Sequence, residues 1–114
     1  MQVLFRAKEK NSNNYVIGYE YYNHIEDEYY ITHYVSGSNY KIDRTTRSIN
    51  IEDMLDSQGN KIFASLDTKG GSLIEYEEKI FEAMYLNGLI QGVANMDSIQ
   101  NSLFKYSKAI GIQQ

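Results

Sequence analysis

The chain has 114 residues, 42% of them hydrophobic, a formal net charge of −4, and no proline, cysteine or tryptophan. That length suits one domain with a modest core. The missing cysteines exclude disulfides, thiolate metal sites and cysteine nucleophiles, and the acidic balance argues against a general nucleic-acid binder, which needs a basic surface.

The opening Met1-Gln2-Val3-Leu4-Phe5-Arg6 lacks the apolar run of a signal peptide, and no stretch approaches the roughly 20 apolar residues that span a bilayer. The expectation is a cytoplasmic protein. Val3 to Arg6 reads as a short strand and Lys8 to Asn14 as a turn. Eight of the eleven tyrosines then fall between Tyr15 and Tyr40. Tyrosine has high β-propensity and an apolar ring with a polar tip, so this stretch suits a sheet with one wet face. Tyr15 to Tyr22 and Glu28 to Val35 read as two antiparallel strands joined by the polar loop Asn23 to Asp27. Ser36 to Asn39 is a turn, Tyr40 to Asp43 and Ser48 to Ile51 are short strands, Asp56 to Asn60 is a second turn, and Lys61 to Leu66 is a further strand.

After Lys69-Gly70-Gly71 the spacing changes. Ser72-Leu73-Ile74-Glu75 fits a capping box, and Leu73, Tyr76, Ile80 and Met84 recur at helical intervals up to Gly88. A second helix is expected from Asp97, carried by Ile99, Leu103, Tyr106 and Ile110 and ended by Gly111. The predicted fold class is α+β in a single domain, 1–114. A β-rich part (1–67), an antiparallel sheet or small open barrel, precedes a two-helix part (72–111).

Four blocks stand in order in the first half. They are Phe5-Arg6-Ala7-Lys8, Tyr15-Val16-Ile17-Gly18-Tyr19, Tyr40-Lys41-Ile42-Asp43 before Thr45-Thr46, and Asp56-x-x-Gly59-Asn60-Lys61-Ile62-Phe63. Together they resemble the YopX-like family of small bacteriophage proteins over residues 5 to 63. The resemblance implies a β-rich fold and a phage or prophage origin, and it carries no enzymatic activity with it. The family's usual glycine and phenylalanine after the threonines are missing, since the chain reads Thr45-Thr46-Arg47-Ser48-Ile49, and after residue 63 Ala64-Ser65-Leu66-Asp67 stands in place of its acidic turn, so the second half is expected to bring a function of its own.

Candidate chemistry is sparse. His24 and His33, with Glu26 or Asp27, have no metal-ligand spacing. Asp56-Ser57-Gln58-Gly59-Asn60 resembles a calcium loop but lacks its closing acid and correctly placed glycine. Lys69-Gly70-Gly71-Ser72 lacks the full phosphate-loop pattern. Glu77 falls in the apolar sector of the first predicted helix, where a carboxylate must pair or reach water. Glu75, Glu78 and Glu82 form an acidic stripe on the opposite side, and such a stripe fits a basic groove.

The expected function is a phage-encoded, non-enzymatic inhibitor of a host protein with a basic surface. An anti-CRISPR-type block of an RNA-guided nuclease is its sharpest form. Glu75, Glu78 and Glu82 would make the contact, with Tyr21, Tyr30 and Tyr34 as anchors. No cofactor or metal is expected, and a homodimer through the C-terminal helices is one further possibility. The alternative is a nucleic-acid-binding module that uses Tyr19, Tyr21, Tyr30 and Tyr34 with Arg44 and Arg47.

Overall fold

The computed structural model describes residues 2–67 and 69–114. Its first four strands are β1 (Val3–Glu9), β2 (Tyr15–Asn23), β3 (Glu28–His33) and β4 (Asn39–Ile51). Each pairs antiparallel with the next, and β4 returns to pair with β1, so the four close into a barrel. Closure leaves these strands no open edge. On β2 and β3 alternation turns Val16 and Ile31 inside, where they meet Ala7 and Ile42 of the flanking strands, so the Tyr15, Ile17, Tyr19 and Tyr21 side of β2, apolar and aromatic by sequence, is not the core side. Burying each of the larger aliphatic side chains stabilises the fold by roughly 1.5–3 kcal/mol.

The two short strands expected at 40–43 and 48–51 are one strand of 13 residues. The register shifts where β4 passes Arg6 and Lys8 of β1. Thr46 holds that irregularity together: its hydroxyl accepts from the Lys8 amide at 2.8 Å and donates to the Asp43 carbonyl at 2.6 Å. The bend lets the far end of β4 leave the barrel and enter a second core.

That second core overturns the α+β expectation. The chain continues as β5 (Ala64–Ser65), β6 (Ser72–Tyr76), β7 (Lys79–Leu86), β8 (Leu89–Ala94) and β9 (Asp97–Gln100), then a six-residue 3-10 helix (Asn101–Tyr106) and β10 (Lys108–Ile112). The first predicted helix is the β6–β7 hairpin. Ser72 and Ile74 on β6, and Phe81 and Ala83 on β7, alternate into the core. The Ser72 hydroxyl accepts from the Phe63 amide instead of capping a helix. Glu77 and Glu78 form the exposed two-residue turn between Tyr76 and Lys79, so Glu77 does not lie in an apolar sector. Gly88, expected to end that helix, instead forms with Asn87 the turn from β7 into β8. Of the second predicted helix only the 3-10 segment is helical, so the C-terminal helix pair that would have supported a dimer does not exist.

The core of this half gathers Ile49, Ile62, Ala64, Ile74, Phe81, Ala83, Ile90 and Phe104. Phe5 packs against both cores. β5 ties the halves together, pairing antiparallel with β4 and parallel with β7. Gly70 lies beside the same junction at φ +100°, and a Cβ there would fall 1.9 Å from the Thr46 carbonyl oxygen. Only glycine fits such a position. Among the described residues, no helix is long and apolar enough to cross a membrane.

Candidate functional site

Strand alternation places Tyr19 and Tyr21 of β2 on the outer face of the barrel, opposite Thr32 and Tyr30 of β3, with Lys41 and Asn39 of β4 beyond them. Tyr34, in the turn after β3, is exposed. The structure therefore places Tyr19, Tyr21 and Tyr30 on one face, with Tyr19 at 48% and Tyr21 at 39% exposure, while the Tyr34 ring lies against His33. The Tyr21 and Tyr30 rings stack with centroids 5.4 Å apart and planes 12° from parallel.

The acids beside these rings are not the ones expected. The Tyr30 hydroxyl donates to the Glu26 carboxylate, and the Tyr22 hydroxyl donates to Asp27. The bond to Glu26, with smaller contributions from burial and nearby negative charge, pushes the Tyr30 phenol up to about 12. The bond to Asp27 raises Tyr22 in the same way. Each phenol is thus held neutral, as a donor, by the carboxylate it serves. Ile25, at the tip of the β2–β3 loop, is 96% exposed. The result is a fixed aromatic surface bordered by acids and ending in an exposed aliphatic side chain. The signal for Glu26 was its place in the hairpin loop, four residues before Tyr30.

Glu75, Glu78 and Glu82 do not form a helical stripe. Glu78 sits in the β6–β7 turn. Glu75 and Glu82 share the outer face of that hairpin, Glu75 opposite Ile80 and Glu82 opposite Leu73. Glu75 and Glu78 are exposed. Glu82 is half-buried, and burial holds its carboxyl above the usual range. The three glutamates belong to a different part of the fold from the tyrosines.

The remaining candidates have structural roles. Arg44 and Arg47 converge on Glu20 at 3.3 and 3.1 Å, and the Glu20 side chain is only 9% exposed. The Arg44 guanidinium also lies 3.9 Å from the centre of the Tyr29 ring. Both cations are thus engaged away from the Tyr19 and Tyr21 face, leaving Lys41 there, itself 3.9 Å from Glu26. His33 Nδ1 accepts from the Val35 and Ser36 amides and braces a turn, while His24 is exposed against the edge of Tyr22. Asp56 accepts from the Gln58, Asn60 and Ala109 amides and from the Asn60 side chain, which occupies its oxygens with N–H donors. In the glycine segment the Gly70 amide donates to the Gln113 carbonyl and the Ser72 amide to the Phe63 carbonyl. Among the described residues, no group of three or more His, Asp or Glu could hold a metal ion. No family model, curated protein or solved structure matches the chain.

Proposed function

We propose that the chain is a non-enzymatic binding protein of phage origin that inhibits a host protein, with the outer tyrosine face of the barrel as its contact surface. The observation that carries this reading is the stacked Tyr21–Tyr30 pair, Tyr21 exposed and Tyr30 half-buried, held by neighbouring strands and by Glu26. A rigid tyrosine loses little side-chain freedom on binding and offers both apolar area and a hydrogen bond, the properties of an interface anchor. Glu26 and Asp27 add negative charge at the rim, which favours a partner with a basic surface. The resemblance of residues 5 to 63 to YopX-like phage proteins supports the origin. An RNA-guided nuclease is the sharpest candidate target, because its guide and DNA channels are basic.

The test is quantitative capture from bacterial host extract by wild-type protein and by a Tyr21→Ser, Tyr30→Ser double variant. A host protein held by the first and lost by the second supports the reading. Equal capture by both refutes the assigned face. For the nuclease form, DNA cleavage by a panel of purified RNA-guided nucleases is measured. At least one enzyme is inhibited by the wild-type protein and spared by the variant.

A further inference from the structure

The β6–β7–β8 sheet is apolar on both sides, and only one side is used by the core. Ile74, Phe81, Ala83 and Ile90 face inward. Register puts Leu73, Glu75, Ile80, Glu82, Met84 and Leu86, with Leu89, Gln91 and Val93 of β8, on the other side. None of the apolar residues among them belongs to either hydrophobic cluster. Ile80 is 54% and Leu89 65% exposed. Leu73, Met84 and Val93 beside them are half-buried, and apolar side chains left open to solvent on one sheet face mark an interaction surface.

Glu82 stands in the middle of it, with Leu73 opposite on β6 and Val93 opposite on β8. Its Oε2 is enclosed by protein and receives no hydrogen bond from the described residues. No ion pair reaches it among the described residues. A half-buried carboxylate with no ion-pair partner is destabilising, and a cation brought to its solvent-facing side offsets the penalty. We propose that this face docks a segment of a partner protein carrying a lysine or arginine between apolar side chains. The cation meets Glu82, and the flanking side chains cover Leu73, Ile80 and Val93.

Charge selects this occupant over a second copy of the chain. The face carries Glu75 and Glu82, with Lys108 of β10 opposite Glu75. A two-fold stacking of the face about its centre sets Glu82 against Glu82, a like-charge contact in an apolar setting. A free metal or amine does not suffice, because it leaves the apolar side chains uncovered. This surface is chemically distinct from the tyrosine face and does not rest on it.

The test is an NMR titration of the whole chain with three short peptides. Each has two valine or leucine residues on either side of a central lysine, norleucine or glutamate. The lysine peptide is expected to shift amides of Leu73, Ile80, Glu82 and Val93, and to bind about tenfold more tightly than the norleucine peptide. Glu82→Gln, which keeps the shape of the side chain, should remove that preference, and Ile80→Ser should weaken all apolar binding. The Tyr21→Ser, Tyr30→Ser variant should bind the lysine peptide as wild type does. Equal binding of the lysine and norleucine peptides, shifts confined to other parts of the chain, or no shifts at all overturn the proposal. So does a concentration-dependent dimer, seen by sedimentation, that Ile80→Ser dissolves, since the occupant is then a second copy.

Discussion

Tyr21 and Tyr30 lie directly opposite each other on β2 and β3, their rings stacked on the solvent side of a closed barrel. The pair is fixed at one edge by the Tyr30 hydroxyl bond to Glu26. Because that bond stabilises the neutral phenol, Tyr30 should titrate near 12, later than an ordinary tyrosine. Glu26→Gln removes the charged acceptor and should bring the titration back towards the ordinary range. Ultraviolet pH titration, with Tyr30→Phe to assign the transition, measures this directly.

Glu77 and Glu78 occupy left-handed backbone positions, with φ of 50° and 67°, in the turn between β6 and β7. Asn87 and Gly88 fill the equivalent turn between β7 and β8 with φ of 52° and 82°. The second pair suits a type I′ hairpin and the first does not, because a long side chain in that conformation costs roughly 1–2 kcal/mol per residue. Replacing Glu77 and Glu78 by Asn and Gly should therefore raise the unfolding free energy by about 1–2 kcal/mol, read from urea denaturation. An unchanged midpoint contradicts the turn assignment.

Asp56 is buried and ties its own loop to β10 through the Ala109 amide at 2.8 Å. Burial alone would raise its pKa. The bonds from Ala109, Asn60 and Gln58 outweigh it and hold the carboxyl below its ordinary 3.8. A depressed folded-state pKa gives stability that is present above the unfolded value and lost as pH falls through the folded one. Asp56→Ala strands buried amides and should cost about 2–3 kcal/mol at pH 7. The variant should also show a shallower loss of stability below pH 4 than wild type, measured by thermal unfolding across pH.

Arg6 is a buried cation at the junction of the two cores, with no carboxylate partner among the described residues. Its guanidinium lies 4.5 Å from the centre of the Phe63 ring and donates to the Gly70 carbonyl at 2.9 Å. Burial lowers its pKa to about 10, partly opposed by Tyr15. Arg6→Ala should destabilise by about 2–4 kcal/mol through the cavity it leaves. Arg6→Met, which fills the space without a charge to desolvate, should retain most of the wild-type stability in the same urea experiment.

The first half of this fold was legible because its strands differ on their two sides. In the barrel Val16 and Ile31 face inward while Tyr19, Tyr21 and Tyr30 face outward, and glycine, asparagine and serine mark the turns. The second half was misread for a physical reason. Ile74, Phe81 and Ala83 point in, but Leu73, Ile80 and Met84 point out and are also apolar, so the period of two is erased. What remains, Leu73, Tyr76, Ile80 and Met84, imitates a helical spacing. Asn87-Gly88 carried the correct hairpin signal and was masked by that spacing. Alternation grouped Tyr19 with Tyr21 on one side of β2 but left open which side meets the core. Its acidic partner Glu26 needed the hairpin loop to close before its proximity to Tyr30 could be seen.

The contact face is tested most directly by site-specific photocrosslinking in host extract. Benzoylphenylalanine is placed at Tyr21 in one sample and, as a control, at Met96, which is 98% exposed in the turn between β8 and β9. The expected result is a single dominant host protein crosslinked at position 21, absent at position 96, and competed away by unlabelled wild-type chain but not by the Tyr21→Ser, Tyr30→Ser variant. Crosslinking that is equal at both positions, or that the variant competes as well as the wild type, contradicts the assignment of the Tyr21–Tyr30 face.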